Sequence, residues 1–200
     1  MYLDTVAPSI LQEMRYPTPD NFMGRPVDGY EAPRAILTRQ AAEALKQVQQ
    51  DLATFHLGLK VFDAYRPQRA VDNFVRWAGD LEDTTMKWKY YPDVAKKDLF
   101  RKGYIASRSS HSRGSTVDLT IVSVEEKTFG QELDMGSGFD FFGAVSWPDS
   151  PRPTPSQRAH RAVLQRVMQR HGFVPYAKEW WHFTLDGEPF PDTYYDFPVR

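Results

Sequence analysis

Two stretches of the chain hold residue types that could do chemistry together. One is Glu179-Trp180-Trp181-His182; the other runs from Ser109-Ser110-His111 through Gly114 to Asp118, between two apolar segments. They offer two histidines, an aspartate and a spare glutamate. That is the inventory of a catalytic zinc site: three protein ligands, an open coordination position, and a carboxylate that need not bind the metal. If the four side chains converge in space, the chemistry is metal-assisted hydrolysis.

Convergence depends on the backbone. His111 and Asp118 would face opposite sides of an unbroken strand. Gly114, flanked by serines, offers a turn that swings them back together, with His111 on a loop or strand end and Asp118 starting the next strand. The competing reading is a solvated loop histidine beside a strand-capping aspartate. Glu179 and His182 share a face on a helix but not on a strand. His182-Phe183-Thr184-Leu185 reads as strand, which puts Glu179 in the turn before it; the alternative is an exposed glutamate and a histidine packed among tryptophans. Arg66 precedes Pro67 and is extended at a strand end. There it could stabilise a developing oxyanion or pair with Asp63. His56, His160 and His171 fall on or near predicted helix ends without an acidic partner at ligand spacing, and read as surface or capping residues.

The elements that must position these groups are legible in outline. Residues 1–37 are rich in Pro, Gly and aromatics and read as extended segments and turns wrapped over a core. Thr38 is a predicted N-cap, followed at helical spacing by Ala41, Leu45, Val48, Leu52 and Phe55, with Gly58 as the stop. Leu59 to Tyr65 reads as a strand, and Pro67 opens a helix whose apolar face holds Val71, Phe74, Val75 and Ala78. Residues 80–103 promise short helical pieces at most, and Val117 to Val124 a β-branched strand. Thr154-Pro155-Ser156-Gln157 matches a capping box, leading a helix with Ala159, Val163, Val167 and Met168 on one face. Phe173 to Tyr176 and Trp181 to Leu185 complete a strand pair. Without a strict βαβ repeat, the expected fold is α+β: one domain over residues 1–200, a mostly antiparallel sheet flanked by helices, and the zinc site at the sheet.

Two hundred residues suffice for one sizeable core. A net charge of −1 favours neither nucleic acid nor an anionic membrane as partner, and no apolar run approaches a bilayer span. The chain has 0 cysteines, so thiolate metal sites and cysteine nucleophiles are excluded. The N-terminus does not read as a signal peptide, which suggests the cytoplasm, or the periplasm if a leader has been removed. Aromatic-rich surfaces permit a homodimer without requiring one.

The residues resemble the VanX-type D-alanyl-D-alanine dipeptidases, zinc enzymes of the D-Ala-D-Ala metallopeptidase group. The resemblance runs nearly end to end: Asp20-Asn21-Phe22, Pro26-Val27-Asp28-Gly29-Tyr30, Asp63-Ala64-Tyr65-Arg66-Pro67, Ser109-Ser110-His111-Ser112-Arg113-Gly114-Ser115 with Asp118, Met135-Gly136-Ser137, Glu179-Trp180-Trp181-His182 and Tyr195-Asp196-Phe197-Pro198-Val199. It implies one zinc held by His111, Asp118 and His182, Glu179 as general base and then acid, and Arg66 as transition-state stabiliser. It further implies that Asp140 and Tyr16 receive the substrate ammonium and that Ser109, Tyr30, Asp63 and Phe74 line the pocket. The implied reaction is hydrolysis of D-Ala-D-Ala, in glycopeptide resistance or cell-wall recycling. The alternatives are a zinc D,D-carboxypeptidase or endopeptidase on peptidoglycan peptides, and a non-catalytic zinc module of the same fold.

Overall fold

Two strands carry the sheet because almost every residue in them is apolar or satisfied inside. β2 (Leu57–Asp63) and β3 (Thr116–Ser123) are buried on both faces over most of their length, as central strands covered on each side must be. The computed structural model describes residues 1–200. With β1 (Leu11–Gln12), β4 (Phe173–Tyr176) and β5 (Glu179–Leu185) they form a five-stranded sheet in the order β1-β2-β3-β5-β4. Only the short β1–β2 pair is parallel; the others are antiparallel. The fold is α+β, as expected. No helix is long and apolar enough to cross a membrane.

Helices cover the sheet. α2 (Arg39–Ala53) packs on β2, and α5 (Pro155–Arg170) on β4 and against α2; the short α1 (Leu3–Val6) meets α2. Thr38 caps α2 by accepting a hydrogen bond from the Ala41 amide, and Thr154 with Gln157 forms a full capping box on α5, which typically contributes about 1 kcal/mol per cap. A second layer is aromatic. Phe62 of β2 and Trp181 of β5 pack on Phe139, which meets Tyr16. Tyr16 in turn meets Phe22 and Phe74, the latter on α3 (Gln68–Gly79). α4 (Lys87–Tyr90) is a single turn.

Three expectations change. α2 ends at Ala53, and His56, with φ +56°, takes the left-handed position beyond it, while Gly58 is already inside β2. Phe55 therefore lies past the helix and is 74% exposed. On α5 the buried stripe is Arg161, Leu164 and Met168, with Ala159 and Val163 outside. Arg161 misleads a hydrophobic pattern because it is a core residue. Its guanidinium donates to the carbonyls of Met135, Val145 and Trp147, tying the 135–147 segment to the helix. β5 also begins earlier than expected, at Glu179.

The turn that matters most for the site is at Gly114. It closes a 3₁₀ turn over Ser110–Arg113 with φ +82°, and its carbonyl accepts the Thr38 amide at 2.7 Å. A β-carbon there would meet only ordinary contact, 3.5 Å from Thr38 Cγ2, so the requirement for glycine is one of backbone conformation. Gly114→Ala is expected to lower the unfolding free energy by about 1–2 kcal/mol, read from urea denaturation; an unchanged midpoint would show that the left-handed turn is not strained by a side chain.

Candidate metal and active site

Three neighbouring strands place one row of polar side chains. In register, Asp63 of β2 faces Asp118 of β3, and Asp118 faces His182 of β5. Asp63 reaches that row only because β2 shifts register between Val61 and Asp63. On β5 a second irregularity lets Tyr176 of β4 pair with Glu179 although its neighbour Pro175 pairs with Phe183. The kink explains how Glu179 and His182, three residues apart, can face the same cleft, and why Trp180 and Trp181 are both buried. They pack edge to face, with ring centroids 5.3 Å apart.

His111 comes from outside the sheet, on the 3₁₀ turn that Ser109 caps by accepting the His111 amide at 3.3 Å. Its Nδ1 lies 2.7 Å from the carbonyl of Ala64 and donates to it, so Nε2 carries the lone pair. His182 is oriented the other way round: Nε2 is 3.3 Å from Ser110 Oγ, and in the tautomer in which Nε2–H donates to that hydroxyl Nδ1 is an acceptor. These two acceptor nitrogens lie 3.2 Å apart. His111 Nε2 is 3.3 Å from Asp118 Oδ2, and His182 Nδ1 is 3.1 Å from Asp118 Oδ1. Oδ1 is buried and, despite that proximity, makes no hydrogen bond of acceptable geometry. In these tautomers three acceptors converge without a donor among them, and the three ligand atoms lie within 4.8 Å of one another. Two imidazoles and a carboxylate are a ligand set that suits zinc, and outer hydrogen bonds to the Ala64 carbonyl and with Ser110 Oγ orient the rings as metal ligands usually require.

The surrounding charges are unevenly balanced. Asp63, Asp118 and Asp140 are buried and Glu179 nearly so, against one arginine. Burial opposes ionisation of Asp118, yet His111 and His182 hold its carboxyl well below the usual range. Burial likewise lowers His111, whereas for His182 the attraction of Asp118 outweighs burial and raises it. Glu179 is pushed up to about 7, by burial first and Asp118 next. Asp140 is raised well above normal by burial, with repulsion from Asp118 adding to it. Its backbone sits at φ +59°, a conformation non-glycine residues rarely hold, and Tyr16 donates to its Oδ2 at 2.9 Å.

Arg66 follows β2 and lies against a pair of neighbouring aromatic rings, its Cζ 5.1 Å from Tyr16 and 5.2 Å from Phe74. Nε and Nη2 both bond Asp63 Oδ2 at 2.9 Å, and Nη2 lies 3.5 Å from Asp118. Nη1 has no protein partner. The two readings of Arg66 drawn from the sequence are therefore compatible: it pairs with Asp63 and still presents a donor edge to the cleft.

The cleft has a volume of about 380 Å³. Arg66, Asp118, Glu179 and His182 line it, as do Tyr16, Phe74, Ser109 and Asp140. Tyr30 and Asp63 do not, which corrects their expected place on its wall. They stand behind Arg66, with Tyr30 donating to Asp63 Oδ1 at 2.7 Å and Asp63 Oδ2 lying 3.6 Å from His111 Nδ1. Sequence reasoning missed Ser110, the Ala64 carbonyl, and Tyr176, whose ring is 5.4 Å from that of His182. Only Ser110, adjacent to His111, carried any signal. The other histidines stay outside: His171 bonds Asp51, His160 the Asp134 carbonyl.

Glu179 gives a pH test in metal-free protein. Below pH about 4.5 the carboxyl is protonated both folded and unfolded. As pH rises from there to about 7, only the unfolded chain releases the proton, so the folded state loses stability; above about 7 the loss is complete. Metal-free Glu179→Gln is expected to exceed metal-free wild type by up to roughly 3 kcal/mol at pH 8 and to match it at pH 4. Equal denaturation midpoints at pH 8 would contradict the burial of this carboxyl.

Comparison with known proteins points the same way. The Peptidase_M15 family, described as D-ala-D-ala dipeptidase, matches residues 1–200. The chain is 43% identical over 199 residues to a D-alanyl-D-alanine dipeptidase of Enterococcus faecalis, covering 100% of this chain and 97% of that one. It is 42% identical over 198 residues to the Streptomyces coelicolor D-alanyl-D-alanine dipeptidase, covering 99% and 96%. It is 32% identical over 183 residues to that of Escherichia coli, covering 92% and 82%.

Proposed function

Since the chain belongs to the Peptidase_M15 family of D-Ala-D-Ala dipeptidases, we propose that it hydrolyses D-Ala-D-Ala to two D-alanines, using one zinc ion held by His111, Asp118 and His182. The observation that carries this reading is the meeting of three hydrogen-bond acceptors beside Glu179 and Arg66. Zinc bound there would supply Lewis acidity and bring the pKa of a water towards neutrality.

The chain's own residues account for the rest. Glu179, with its affinity for protons raised by burial, takes a proton from the water that attacks the scissile carbonyl carbon. The new bond is C–O, and negative charge develops on the carbonyl oxygen. Arg66 offers that oxygen the N–H groups of its unpaired edge, while Asp63 and the aromatic rings keep the guanidinium from turning. Collapse breaks the C–N bond, and Glu179 returns its proton to the leaving nitrogen.

Asp140 with Tyr16 suits the substrate ammonium. A buried carboxyl raised by desolvation regains its charge when a cation arrives, so an N-terminal amine is held tightly and an acylated one leaves the acid unpaired. This favours a free dipeptide over the end of a longer wall peptide. Removal of D-Ala-D-Ala would serve glycopeptide resistance or recycling of wall fragments.

The test is a panel of D-Ala-D-Ala, L-Ala-L-Ala and a D-Ala-D-Ala-terminated pentapeptide, with and without chelator. Turnover is expected on the first alone and only without chelator; comparable turnover on the pentapeptide would instead support a D,D-carboxypeptidase. Among variants, Glu179→Gln is expected to keep its metal and lose most turnover. His111→Ala and His182→Ala should lose the metal, measured by elemental analysis. Arg66→Lys, chosen because alanine would leave Asp63 buried and unpaired, should lower kcat about 100-fold with an unchanged circular dichroism spectrum.

A further inference from the structure

The cleft gives an ammonium, an attacking water and an oxyanion their partners, but a free dipeptide also carries a carboxylate. The charged groups on the wall are mostly of the wrong sign for it: Asp118, Asp140 and Glu179 are acidic, and Arg66 is bonded to Asp63 and directed at Asp118. One further cation lines the cleft, Arg108. It forms no ion pair in the protein. Its guanidinium lies over the ring of Tyr194, Cζ to centroid 5.0 Å, a contact that leaves N–H groups available to an anion. The nearby Arg113, which also approaches Tyr194, is by contrast held by Glu188 at 2.6 Å.

The segment bearing Arg108 is fixed at both ends. Gln68 of α3 donates to the Ser107 carbonyl at 3.0 Å, and Ser109 caps the turn carrying His111. The arginine is thus tied in position to a metal-ligand candidate three residues on, while its own side chain stays exposed at the cleft. We propose that Arg108 binds the substrate's terminal carboxylate and so makes the enzyme select a free C-terminus. This rests on the dipeptidase reading above. In the bound complex the guanidinium edge pairs with the carboxylate, the ammonium lies against Asp140, and the scissile carbonyl between them meets Arg66 and Glu179. A C-terminal amide or ester would lose the Arg108 pair and keep everything else.

The experiment compares zinc-loaded wild type, Arg108→Ala and Arg108→Lys on D-Ala-D-Ala and on its C-terminal amide. Wild type is expected to favour the acid by at least about tenfold in kcat/KM, as loss of a charge-assisted hydrogen bond implies. Arg108→Ala should raise KM for the acid by a similar factor, with kcat little changed, and leave the amide unaffected, so that the preference collapses. Arg108→Lys should retain part of it. Binding calorimetry in a Glu179→Gln background, free of turnover, should show the same acid-selective weakening. An unchanged acid-to-amide ratio in Arg108→Ala, or equal losses on both substrates, would overturn the assignment. A wild type inactive on both substrates would defeat the dipeptidase reading itself, and the role of Arg108 with it.

Discussion

Asp118 is the constraint on which the site depends. It is a carboxylate 2% exposed, in the middle of the sheet, with Asp63 on one side in the cross-strand row and His182 on the other. A charge in that position is costly unless it is paired, and its neighbours are arranged accordingly. The imidazoles of His111 and His182 close on its oxygens, and Arg66 stands between it and Asp63. Even so, Oδ1 has no hydrogen bond, and the ring nitrogens that face this carboxylate are the ones Ala64 and Ser110 do not contact. A divalent cation, as proposed, would answer these together: it would offset the excess of buried acid and engage the converging acceptors.

The rest of the fold makes that cluster affordable and rigid. The aromatic layer of Tyr16, Phe22, Phe74 and Phe139 excludes water from one wall, which strengthens every charge interaction behind it. The same layer backs Arg66 with two rings and brings the Tyr16 hydroxyl to Asp140. Burial then separates the carboxyls by environment. Asp118 remains ionised because imidazoles face it, while Glu179, with less compensation, shifts towards neutral pH where a proton carrier works best. One structural device, desolvation with unequal pairing, gives two neighbouring acids opposite protonation tendencies, which suits the metal-ligand and base roles proposed for them.

Much of this was legible in the sequence, and the parts that were not share a cause. Caps and central strands were readable because they depend on local signals: Thr38, the Thr154–Gln157 box, and the β-branched run at β3. The Gly114 turn was readable because glycine marks left-handed backbone. The register shifts on β2 and β5 were not, since nothing in Phe62 or Trp180-Trp181 announces a bulge; pairing with neighbouring strands imposes it. The buried stripe of α5 was misread because an arginine bonded to three carbonyls behaves as a core residue. Tyr30 and Asp63 carry the family resemblance yet sit one layer behind the cleft, a distinction that motif spacing does not encode.

In the proposed reading His111, Asp118 and His182 share one metal ion. The most direct measurement is anomalous diffraction at the zinc edge from crystals of protein purified without chelator. We expect a single strong peak coordinated by His111 Nε2, the Asp118 carboxylate and His182 Nδ1. Absence of any peak among these three side chains, or zinc bound elsewhere on the chain, would contradict it.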